Sequence, residues 1–218
     1  MKLSIRRSSI YRSAALILAL ILTCASLLSC GNPPDLSEVR EQFEDVIEAS
    51  YAVNEIFFGK GLPTHARDGE FAIENNIYYG FFGYDAYEFV TEDSPYFSVD
   101  DIKYLAEQVY AEDYLEDIYT MAFIGYADEQ TGAVSTARYL ESEGILLRYT
   151  FGDKDPFDIL PGQRRYLMDT MEIVRPSSAK SVNVTIDSYL VGAEDEILNV
   201  TLRFIFENDR WVLDTPTY

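Results

Sequence analysis

The spacing of apolar residues changes once along this chain, near residue 137, and that change limits the fold more than any other feature. Before it, apolar positions recur every three or four residues. Val39, Phe43, Val46, Ile47, Ser50, Val53 and Phe57 fall on one face of a helix, and Glu41, Glu44, Asp45 and Glu48 fall on the other. After it, the period is two. Val182, Val184, Ile186, Ser188 and Leu190 share one face of an extended strand, as do Leu198, Val200, Leu202, Phe204 and Phe206. Helices followed by strands with short turns predict an α+β domain. Its N-terminal amphipathic helices pack on a curved antiparallel sheet of four to five strands.

Local signals place the ends of these elements. Asp35 with Glu38 three residues later predicts the start of the first helix, and Gly59, Gly61 and Pro63 predict its end. Ser98 and Asp101 form a second capping box. The stripe Val99, Ile102, Leu105, Ala106 and Val109 continues, after a bend near Ala111, as Leu115, Ile118, Tyr119 and Ala122. The carboxylates of this region, Glu107, Glu112, Asp113, Glu116 and Asp117, read as its solvated side and fit no metal-ligand spacing. Strands are predicted near Ala137–Glu141, from Ile145, over Tyr166–Val174, and at Trp211–Leu213 after an Asn208-Asp209 turn. Residues 59–97 alternate glycine with aromatics and read as a long loop around one short strand at 85–91. Its 71–84 rings either plug the core or form a docking patch.

The first 30 residues concern address rather than fold. Lys2, Arg6, Arg7 and Arg12 precede an apolar run from Ala14 to Leu28. That run is about 15 residues long, short of the ~20 that cross a bilayer as a helix. A basic segment, a short apolar segment and small residues before a cut predict a secretory signal. The run closes on Leu27-Leu28-Ser29-Cys30. This resembles the lipobox of bacterial lipoproteins, in which the cysteine is acylated and the chain is cut just before it. The resemblance implies residues 1–29 as signal peptide, Cys30 as the lipid attachment site, and the extracytoplasmic face of a cell membrane as the location. Residues 30–37, with Pro33-Pro34, then form a tether, and 38–218 a single domain.

Loss of residues 1–29 removes four of the 17 basic residues and no acidic one. The remaining 13 Lys+Arg face 37 Asp+Glu, a net charge of −24. Such a chain lacks the clustered cations that nucleic-acid phosphates need. The acidity suits a self-repelling soluble surface or loose capture of cations and basic peptides. With Cys30 acylated and Cys24 discarded, no thiol remains for a disulfide, a nucleophile or a metal. The single histidine, His65, sits in a polar loop and reads as solvated. Asp153-Lys154-Asp155 lacks the glycine and terminal glutamate of a calcium loop. No cofactor motif is present.

The helix-then-sheet order and the ending Glu207-Asn208 followed by Trp211-Val212-Leu213-Asp214 resemble the nuclear transport factor 2-like, or cystatin-like, roll. This implies a cone-shaped sheet cupping the first helix. The fold hosts both enzymes and plain binding modules. The residues support a non-catalytic domain that binds a protein, peptide or small ligand. One alternative is an isomerase or dehydratase, with Asp169 turned inward beside Leu167, Met171 and Ile173 as its acid or base. Another is an envelope assembly factor docking through residues 71–84.

Overall fold

The computed structural model describes residues 31–65, 87–127, 134–150 and 163–218. Cys30, the 71–84 segment and Asp153–Asp155 lie outside these. Among the described residues the fold is α+β, with three α-helices and two antiparallel four-stranded sheets. Helix α1 spans Leu36–Phe58, α2 Val99–Glu107 and α3 Glu112–Tyr119, which runs on into a π-helical turn at Thr120–Ile124. In chain order the strands are β1 (Thr64–His65), β2 (Tyr87–Val90), β3 (Tyr126–Ala127), β4 (Val134–Ser135), β5 (Tyr139–Ser142) and β6 (Ile145–Tyr149). They continue as β7 (Arg164–Val174), β8 (Ser181–Leu190), β9 (Ala193–Glu207) and β10 (Arg210–Leu213). One sheet runs β1-β2-β6-β5, the other β10-β9-β8-β7, and β3 pairs with β4 apart from both.

The expected single sheet of four to five strands is therefore divided. The β5–β6 hairpin pairs with β2, through Tyr87↔Tyr149 and Phe89↔Leu147, and not with β7. Burial on β6 follows from this. Leu146 joins the main core under α1, while Leu147 joins a smaller cluster with Tyr87, Ala137, Leu140 and Tyr149. Apolar material covers both faces of β6, so its side chains do not alternate cleanly.

Helix α1 begins inside the expected tether. The Asp35 carboxylate accepts from the Ser37 amide at 2.9 Å, which ties up one free donor of the first turn. That bond and a second from the Ser37 hydroxyl hold the Asp35 carboxyl below the usual range. Glu38 contributes its backbone amide to Asp35, at 3.0 Å. At α2 the expected capping box is complete: Ser98 and Asp101 exchange bonds of 3.0 Å in both directions.

The β7–β10 sheet lies against the first half of α1. Phe43 stacks on Phe204 with ring centres 4.0 Å apart, and Trp211 meets Phe43 edge-on at 5.4 Å. Val39, Ile47, Val182, Val184, Ile186 and Leu213 fill the space around them. Burying each such side chain contributes about 1.5–3 kcal/mol. The space under α1 is thus packed with rings and aliphatic groups. Asn208 and Asp209, with φ of 49° and 62°, make the tight turn between β9 and β10.

The other sheet grips the far end of α1. Arg138 is fully buried, and its guanidinium donates to the carbonyls of Phe57 at 2.8 Å and Gly59 at 2.5 Å. Tyr139 donates to Ile56 and accepts from the Leu62 amide at 3.0 Å. Arg148 reaches the Lys60 and Leu62 carbonyls. Orphan carbonyls at a helix C-terminus need such donors, and the cations also oppose the helix dipole.

Candidate functional site

The carboxylates between α2 and α3 acquire a shared geometry through tertiary contacts. The β10 edge comes up beside the α2–α3 connection, where the Leu213 amide donates to the Val109 carbonyl and the Ala111 amide to the Leu213 carbonyl, both at 2.8 Å. This brings the β9–β10 hairpin alongside α3. Ala111 offers no side-chain cap to α3, and the Glu207 carboxylate supplies one from the hairpin, accepting from the Glu112 amide at 3.2 Å. A carboxylate there also meets the positive end of the helix dipole.

Between these elements lies a cleft of about 590 Å³. Its lining carries the carboxylates of Glu107, Glu112, Asp113, Glu116 and Glu207 against one guanidinium, Arg210. Arg210 is itself engaged by the Gln108 side-chain carbonyl. The floor is apolar and aromatic: Leu115 and Tyr110 are each 1% exposed. Tyr119 forms one wall, its hydroxyl donating to the Lys103 carbonyl at 3.2 Å. Burial and the neighbouring Glu107 charge push its phenol well above the ordinary range. Tyr119 and Tyr110 therefore remain neutral at any physiological pH.

Behind the floor is a closed polar network. The Tyr110 hydroxyl donates to Asn54 Oδ1 at 2.7 Å and lies 2.7 Å from the Thr217 hydroxyl. Thr217 also accepts from Asn54 Nδ2 and donates to Ser50, each at 2.7 Å, and Ser50 donates to the Ile47 carbonyl at 2.6 Å. Burial pushes the Tyr110 phenol up to about 12. Every polar group of the network has a partner, as buried polar groups require. The network holds the cleft floor to α1.

The sequence expectations meet this geometry unevenly. Asp169 points outward, and its neighbour Leu167 is also exposed. The cause is a register shift in the β7–β8 pairing between Leu167 and Glu172. Thr170 Oγ1 sits in that irregularity, accepting from the Asp187 amide at 2.8 Å and donating to the Leu167 carbonyl. Between those pairs, residues 168–171 of β7 stand opposite Ile186 alone, three residues in excess, and an odd excess reverses which side chains face the core, so Met171 is buried and Asp169 is not. His65 is exposed on β1, its ring 5.6 Å from that of Phe89. Asp187 is occupied by Asn199 Nδ2 at 2.7 Å. The carboxylates of the cleft were visible individually in the sequence, but Glu207 and Arg210 carried no signal that they would join them.

The cleft carboxylates do not converge. No group of three or more His, Cys, Asp or Glu is placed to hold a metal ion among the described residues. The arrangement is a broad negative field over an apolar floor, suited to an extended cationic chain with apolar or aliphatic stems. Nor is any helix among the described residues long and apolar enough to cross a membrane. Comparison with protein-family models, with curated proteins and with solved structures returns no match for this chain.

Proposed function

We propose that this is a membrane-anchored extracytoplasmic lipoprotein whose domain binds a basic peptide segment of another protein and performs no catalysis. The observation that carries the binding half is the acidic cleft, which sets five carboxylates from α2, α3 and the β9–β10 hairpin around an apolar floor. Lysine stems would lie on Leu115 and Tyr119 while their ammonium groups meet the rim. The anchor half rests on Leu27-Leu28-Ser29-Cys30. Two or more acyl chains on Cys30 hold a protein at a bilayer far more firmly than one. On this reading the β7–β10 sheet and α1 form the cone-shaped roll of the nuclear transport factor 2-like fold, with its interior closed by Phe43, Phe204 and Trp211.

Titration of the full chain with a fluorescent lysine-rich peptide tests the cleft. The expected result is saturable binding that weakens as salt rises, because exposed charges are screened beyond about 10 Å at 0.1 M. The variant Glu112→Gln/Asp113→Asn/Glu116→Gln should bind at least about ten-fold more weakly, a loss of about 1.4 kcal/mol. Equal binding by both proteins would sink the proposal. Incorporation of labelled palmitate that disappears in Cys30→Ala tests the anchor.

A further inference from the structure

One corner of the β7–β10 sheet presents arginines and, among the described residues, no carboxylate in its lining. The Ala179 amide, in the β7–β8 turn, donates to the Gly31 carbonyl at 3.1 Å, and a Cβ on Gly31 would lie 2.9 Å from that of Ala179. The chain is therefore pinned to this turn at the residue that follows Cys30. A shallow groove of about 570 Å³ opens beside it. Its lining includes Arg175 and Ser178 of the turn, and Ser181, Asn183, Thr201 and Arg203 on the outer face of the sheet. No carboxylate among the described residues lines it, in a chain of 37 Asp+Glu against 17 Lys+Arg.

The cations there are available. Arg175 and Lys180 are exposed and have no ion-pair partner among the described residues. Arg203 pairs with Asp214 at 3.1 Å and donates to the Ser181 hydroxyl at 3.3 Å. The turn is also held in shape. The Ser178 amide donates to the Ser181 carbonyl at 2.7 Å, and the Asn183 amide to the Ser177 hydroxyl at 2.9 Å.

We propose that this corner docks on the anionic phospholipid headgroups of the bilayer that carries the anchor, with Arg175 and Lys180 meeting headgroup phosphates. The proposal rests on acylation of Cys30. Three features select this occupant: the residue that follows the attachment point is hydrogen-bonded to the turn beside the groove, Arg175 and Lys180 are exposed on that turn, and the lining residues other than Val174 and Pro176 carry polar side chains. The acidic remainder is repelled by the same surface, so contact is confined to the corner. Each basic residue close to an anionic surface is expected to favour the docked arrangement roughly five-fold, and the pair roughly 25-fold.

The test uses the full chain, expressed in a bacterium and extracted from its membranes. Mass spectrometry first reads the N-terminal peptide. An unmodified Cys30 overturns the lipoprotein reading and this proposal together. The acylated protein, carrying a nitroxide at Thr201→Cys or, as a control, at Asp195→Cys, is then placed in vesicles. These contain phosphatidylcholine alone or with about one-third phosphatidylglycerol, a composition that carries the negative surface potential required. A headgroup-attached nickel chelate should relax the label at 201 several-fold more than the label at 195, in the anionic vesicles alone. The difference should vanish in high salt and in Arg175→Gln/Lys180→Gln, whose melting temperature should match the parent. Equal relaxation at both positions, or an effect indifferent to salt and to the double variant, overturns the proposal while leaving acylation in place.

Discussion

The Arg138 guanidinium holds the Phe57 carbonyl at 2.8 Å, where α1 ends. An arginine just ahead of β5 thus supplies the donors that a helix end usually takes from its own next residues or from water. The arrangement leaves no room for a side chain at Gly61. With φ of +73°, a Cβ there would sit 2.8 Å from Arg138 Nη2, 2.8 Å from the Tyr139 hydroxyl and 2.9 Å from Arg148 Cδ. Gly61→Ala should lower unfolding free energy by at least about 2 kcal/mol, since the left-handed backbone alone costs about 1–2. Urea unfolding measures it. An unchanged midpoint would show that the loop after α1 does not hold the two arginines.

Phe204 is the ring on which α1 rests, and the chain's single tryptophan reports on it. Trp211 touches both Phe43 and Phe206, with ring centres 5.4 and 5.3 Å away. Phe204→Ala should destabilise the domain by about 3–5 kcal/mol. Tryptophan emission should shift to the red as the space beside Trp211 opens. A blue emission maximum identical to the parent's would contradict the packing described.

Tyr110 links the cleft floor to α1 and gives the domain an alkaline limit. Its phenol titrates near 12 in the folded chain, against an ordinary value of 10. A raised folded value means the unfolded chain releases this proton first. The contribution is fully present below pH 10 and is lost as pH rises toward 12, up to about 3 kcal/mol. Tyr51, Tyr114, Tyr119, Tyr139 and Tyr166 are shifted in the same direction by burial. Stability should therefore fall steeply in strong alkali. Tyr110→Phe should flatten part of that fall and, at neutral pH, lose about 1–2 kcal/mol through the partners it strands. Denaturant melts across this pH range provide the measurement.

Glu207 caps α3 across the fold, so its loss should be felt in the helix and in the cleft together. Glu207→Gln keeps an acceptor for the Glu112 amide but removes the charge facing the helix terminus. The expected loss is about 0.5–1 kcal/mol at low ionic strength, shrinking as salt is added. Thermal melts at two salt concentrations check this.

The elements with local causes were legible in the sequence. The α1 stripe, the Ser98–Asp101 box and the Asn208-Asp209 turn each depend on neighbours within a few positions. The division into two sheets was not, because β2 finds β6 across some 60 residues, and strand periodicity says nothing about partners. Asp169 shows the same limit more sharply. Its facing is decided by an irregularity against β8, and alternation cannot count residues inserted by pairing. Arg138 had no signal at all. A buried arginine becomes reasonable only when a helix end arrives to accept from it. The cleft was half visible, as a row of acids awaiting a hairpin.

The hydrogen bond from Asn54 to Thr217 joins positions 163 residues apart. Helix α1 emerges early from the ribosome, yet Phe204 and Trp211, which pack on Phe43, and Thr217, which bonds Asn54, belong to the last two strands and the tail beyond them. Contacts this remote in sequence close slowly. During synthesis and any passage through a narrow export channel, the first helix therefore waits, apolar side uncovered, for the end of its own chain.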